Sequence, residues 1–94
     1  MKIREIVWLE EVINKIASKH AVHFEEVEEL FENQPRFEFV EKGHRRGEDV
    51  YAASGKNDAG RLLVAFFILK PQGRALVLTA REMTQREKRR YEKK

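Results

Sequence analysis

Ninety-four residues with nine aromatics, two prolines and 37% charged side chains suit one folded domain with a modest core, and no second domain is expected. The lack of cysteine excludes disulfides and thiolate metal sites, while glutamates break the opening MKIREIVWLEEVI and no run approaches the roughly 18 apolar residues of a membrane span, so a cytosolic protein is expected. The net charge of +3 hides a split, four Lys/Arg against eight Glu over residues 1–34 and fifteen Lys/Arg against eight acids over 35–94, and the basic part is what an anionic partner such as nucleic acid would meet.

Trp8, Leu9, Val12, Ile13 and Ile16 recur at helical steps, which predicts a helix over residues 9–19. After HAV, Phe24, Val27, Leu30 and Phe31 repeat the spacing among five glutamates, so a second helix is expected over 24–32, ended by NQP. RFEFV alternates as a strand does, and the glycines at 43 and 47 bracket a loop before a second strand, EDVYAAS. GKNDAG is the next turn. RLLVAFFILK is apolar without alternation, the pattern of a central strand covered on both faces. KPQGR turns the chain into a last strand, ALVLTA. Such short links favour antiparallel neighbours.

The expected fold is therefore α+β: two N-terminal helices packed on a four-stranded antiparallel meander, then one C-terminal helix. IREIVW is a candidate short extra strand. Thr84 with Glu87 three residues later forms a capping box, starting the last helix near Gln85. That helix offers only Met83 and Tyr91 for apolar contact against seven basic residues from Arg81 to Lys94. Something other than hydrophobic burial must hold it.

INKIASKHAVHFEEVEELF has the look of a helix-turn-helix. Its second helix would carry five glutamates to a DNA surface that bears a negative charge every roughly 1.7 Å. Sequence-specific DNA reading is thus disfavoured, and the pair is expected to pack on the sheet with its acidic face towards water or a basic partner.

Three segments together resemble one family. KHAVHFEEVEELF resembles the lysine-histidine, small residue, valine, phenylalanine-glutamate-glutamate pattern of the BrnT toxins; GEDVYAASG is similar to their Gly-Glu-x-x-Tyr segment, and LTAREMTQREKRRY to their closing Ser/Thr-Ala-Arg, Glu and Tyr signature. The resemblance spans nearly the whole chain in the same order. It implies a compact fold akin to the RelE toxins, metal-independent endoribonuclease activity that stops translation, no cofactor, and a ribbon-helix-helix antitoxin partner, BrnA. The chain departs from the pattern at Leu9, Val12, Ile16, Ala21 and Val50, where the family has other, mostly polar, residues.

Metal-free RNA cleavage needs a base for the ribose 2′-OH, positive charge for the phosphorane-like transition state and an acid for the leaving oxygen. Arg81 is the candidate for the charge, since it stands where the last strand meets the last helix; the alternative is a scaffold pair with Glu48, Glu82 or another acid. His20 is the candidate acid or base, or a C-terminal helix partner, and Lys19 a second cation. Glu48 and Tyr51 complete the catalytic set, although a spacing of three on a strand points them to opposite faces. Arg74, Thr84, Arg86, Arg90 and Tyr91 are expected to contact RNA. Arg81, Lys19 and His20 are expected to gather in one pocket. A metal on His20, His23 and Glu26 is disfavoured because the histidines straddle a turn and no further ligand is near. The rival class is a non-catalytic module on the same scaffold, binding a protein or RNA, and pairing of two chains is a further expectation.

Overall fold

The computed structural model describes residues 1–93. Strand β1 (Glu5–Val7) precedes helices α1 (Glu10–His20) and α2 (Phe24–Glu32). Strands β2 (Arg36–Glu41), β3 (Val50–Lys56), β4 (Leu62–Lys70) and β5 (Arg74–Glu82) follow, and α3 (Gln85–Lys93) closes the described chain. The four-stranded meander expected from the sequence is present as β2 to β5. The candidate fifth strand forms as well: β1 lies parallel to β5, Ile6 opposite Ala75, giving the order β1-β5-β4-β3-β2. The described residues contain no helix long and apolar enough to cross a membrane.

The unbroken apolar run of β4 is explained by its central place. Leu63, Ala65 and Phe67 are buried under α1 and α2, and Val64 is buried on the other face. Helix α1 docks through Val12 and Ile16, helix α2 through Val27 and Leu30, all packed on Leu63, Ala65, Val77 and Ala80. Ala21 ends α1 in the left-handed region (φ 55°), and the Val22 N–H bonds back to the Ile16 carbonyl, which drops Val22 into the core. The departures at Val12 and Ile16 are thus core residues.

The phase of β5 decides where the functional candidates point. Phe66 pairs with Thr79 but Phe67 pairs with Val77, so Leu78 is an extra, bulged residue. Strict alternation from Val77 would turn Thr79 and Arg81 towards the helices. The bulge instead turns Ala80 inward, fully buried with the helices, and Arg81 outward to the opposite face. ALVLTA carries apolar residues at five of six positions and so gives no hint of the shift.

Candidate functional site

On the outward face, α3 lies across the sheet over a groove lined by Arg36, Glu38, Ser54, Phe66, Met83 and Arg90, among others. No residue of α3 is buried. Arginines hold it instead. Arg81 Nη1 and Nη2 donate to the two carboxylate oxygens of Glu87 at 2.7 and 3.0 Å, a fork-on-fork pair. Arg90 Nη2 donates to Glu38 Oε2 at 2.6 Å, joining α3 to β2. Arg36 Nη2 donates to the Tyr91 carbonyl at 3.2 Å, and its guanidinium carbon lies 5.0 Å from the centre of the Tyr91 ring. At the helix entry, Met83 is buried.

Glu87 also closes the expected capping box: it accepts the Thr84 N–H at 2.8 Å, and its own N–H donates to Thr84 Oγ1 at 3.2 Å. The Arg81 hydrogen bonds, followed by the Thr84 backbone, outweigh burial and hold the Glu87 carboxyl down at about 2. The same pairing raises Arg81 above its ordinary value. Arg81 further donates to the Glu82 carbonyl at 3.2 Å and lies 5.5 Å over the Phe66 ring, with 31% of its side chain still exposed. Of the two readings of Arg81, the scaffold pair is present in this structure, with Glu87 as the acid.

The expected gathering of Arg81 with Lys19 and His20 is not formed. Lys19 and His20 end α1 on the helical face, whereas the bulge at Leu78 sends Arg81 through to the other side of the sheet. The neighbourhood of α1's end is organised by Arg61. It donates to the Ala21 carbonyl (2.9 Å) and to Glu26 (3.1 Å), and pairs with Glu82 at 3.3 Å. Burial opposes charge on both Arg61 and Glu26, but the surrounding bonds prevail, raising the arginine and lowering the carboxyl. His23 and Glu26, considered above for a metal, are joined in the cap of α2, where the His23 N–H donates to Glu26 Oε1 at 2.9 Å.

Tyr51 stacks on Phe67 under the helices, 6.0 Å between ring centres. Glu48 is half-buried in the β2–β3 loop, at the far end of the strands from Arg81. Arg74 sits at that far end too, its Nε donating to the Pro71 carbonyl. Thr84, Arg90 and Tyr91 belong to the α3 assembly, and Arg86 is exposed. Arg36 and Glu38 are not among the site residues expected from the sequence. The alternation of RFEFVE contained the signal, because it puts both polar residues on one face of β2 and Phe37 with Phe39 on the other.

A family model described as "Ribonuclease toxin, BrnT, of type II toxin-antitoxin system" matches residues 8–87. The crystal structure of the Brucella abortus ribonuclease toxin BrnT is similar in fold, with a TM-score of 0.62 and 16% identity over 86% of this chain and 97% of that one. No curated protein sequence matches.

Proposed function

The chain belongs to the BrnT family of ribonuclease toxins, and we propose from that premise that it cuts RNA without a metal, beneath α3, and acts as the toxin of a type II pair. The observation that supports this reading is the meeting of Arg36, Arg90 and two carboxylates, Glu38 and Glu87, around one groove on the sheet, to which Arg81 is joined through Glu87 and the Phe66 ring. A phosphate that reaches the exposed third of Arg81 exchanges with Glu87 for the guanidinium fork, which suits phosphate as well as carboxylate. Glu38, which lines one groove with Glu87, takes the 2′-OH proton. The 2′ oxygen attacks phosphorus and the bond to the 5′ oxygen breaks, leaving a cyclic phosphate and, as that oxygen takes a proton from water, a hydroxyl end. Arg81 carries the charge that builds on the phosphoryl oxygens. Glu87 serves as the group displaced. Lys19, His20, Glu48 and Tyr51 play no part in this scheme.

The experiment is cleavage of single-stranded RNA by the purified chain in EDTA. Arg81→Ala should lower the rate by about a hundredfold or more, while Glu87→Gln, which frees α3 in the same way but keeps the guanidinium, should retain cleavage. Equal loss in the two variants would show that Arg81 matters only as an anchor for α3. No cleavage by the folded wild type removes the enzyme reading.

A second reading has its own observation: the arginines lining the groove already have partners within the chain, as a scaffold without catalysis would. Expression of the chain alone in a bacterial host separates the two, since a toxin arrests growth and a binding module is tolerated. The antitoxin of such a pair would find Val50, Ile68 and Leu76, half-buried and aligned across β3, β4 and β5 on the outward face, where the sheet runs on past the groove.

A further inference from the structure

A cluster of cations without ion-pair partners stands at the opposite end of the sheet from Arg81. Three connections meet there. The β2–β3 loop is fastened to β4, with the Gly43 N–H donating to Asp49 Oδ1 (3.0 Å) and the Leu69 N–H to the Asp49 carbonyl (3.3 Å). The β4–β5 turn follows, and the Arg4 N–H bonds the Gly73 carbonyl at 2.7 Å, adding the chain's opening segment. Together they form one rim across five strands, about 19 Å at the usual strand spacing.

Along this rim lie Arg4, Lys42, Arg45, Arg46, Lys70 and Arg74, the first four exposed. Among the described residues, none of the six has a carboxylate partner, whereas Arg61, Arg81 and Arg90 are all paired. The loop backbone is held by Asp49 while its side chains are left in water. Gly43 is where the loop presses on itself: a Cβ there would come 2.3 Å from the Glu48 carbonyl oxygen. Beside the loop, Phe39 is 57% exposed, supported edge-on by Tyr51 at 5.7 Å. Fixed backbone, unpaired cations and an open aromatic ring make up the composition of a surface for single-stranded nucleic acid, where charge tracks the phosphates and rings stack on bases.

We propose that this rim is an RNA-docking surface, at the other end of the sheet from Arg81, with Lys42, Arg45 and Arg46 contacting phosphates and Phe39, which also borders the α3 groove, stacking on a base. It rests on the reading of the chain as an RNA-cleaving protein, but its test does not require cleavage. A fluorescent, uncleavable 2′-O-methyl RNA oligonucleotide is titrated with the full chain in EDTA at several salt concentrations, reading anisotropy. Lys42→Gln/Arg45→Gln/Arg46→Gln should weaken binding at least tenfold and lower the slope of log affinity against log salt by about 2, as three lost phosphate contacts require at roughly 0.7 each. Phe39→Ala should weaken it at least fivefold with the slope unchanged. Arg89→Gln on α3 should change it less than twofold, and thermal melts confirm that each variant is folded.

Unchanged RNA affinity in the triple loop variant overturns the proposal, and would hand the rim to an acidic protein. Wild type that cleaves RNA while the loop variant binds as before overturns the docking surface and leaves the cleavage reading standing. Wild type that binds through the rim without cleaving does the reverse. A wild type that neither binds nor cleaves overturns both.

Discussion

Arg81 is set by two neighbours, one in its own strand and one beyond it. Leu78 shifts the phase of β5, and Glu87 clasps the guanidinium that the shift delivers. The sequence supplies half of this. Thr84 and Glu87 are recognisable as a cap from their spacing, but the face that Arg81 occupies depends on a bulge that an almost wholly apolar strand conceals. The clasp has a pH signature. With its carboxyl lowered from the usual 4.5 to about 2, Glu87 contributes stability that is complete above its ordinary value and is lost as pH falls through the window down to about 2. Amide exchange at Lys88, whose N–H bonds the Thr84 carbonyl at 2.9 Å, should report it. Protection of α3, corrected for intrinsic rate, is expected to fall as pH drops through that window in the wild type and to be low and flat in Glu87→Gln. Parallel pH profiles in the two proteins would disprove the attribution.

At the scale of elements, α1 and α3 are held by different forces, and they should fail differently. Val12 and Ile16 are buried against β4 and β5, so α1 is bound by apolar packing that salt leaves intact. Helix α3 buries nothing of its own and depends on arginine pairs, each worth about 0–1 kcal/mol when exposed and weakened as added salt shortens the screening length to roughly 3 Å at 1 M. Raising NaCl from 0.05 to 1 M is expected to speed amide exchange throughout α3 and to leave α1 unaffected. Ile16→Asn, which buries an amide where a fully enclosed side chain stood, should instead cost about 3 kcal/mol or more and lower the melting temperature by well over 10 °C. Equal salt sensitivity in the two helices would refute the distinction. Both helices are legible in the sequence by spacing and cap; what holds α3 is not, because its anchors Arg36 and Glu38 lie some fifty residues away on β2, and no local pattern joins them to it.

Across the whole molecule, charge is arranged differently from its order along the chain. Part of the acidic first third is engaged within the fold. Glu26 binds Arg61 and the buried Asn57, Glu28 accepts the Trp8 Nε1–H, and Glu29 accepts the Asp58 N–H. Three of the five α2 glutamates thus tie the helical layer together and to the β3–β4 turn. This explains why the end of α1 is a poor place for a phosphate despite Lys19 and His20. Glu26, Glu82 and the negative pole of α1 converge there, and the cation at their centre, Arg61, is already shared among them. Arg61 joins the Ala21 carbonyl, the start of α2 and the exit of β5, so its loss should be felt by the fold as a whole. Arg61→Ala is expected to destabilise by about 1–3 kcal/mol, less than for a fully buried pair because both partners keep some solvent. In a double-mutant cycle with Glu26→Gln, the coupling should exceed about 0.5 kcal/mol. Additive effects would mean that Arg61 acts through the Ala21 carbonyl and Glu82 alone, and the α2 cap would then have to hold Glu26 in place unaided.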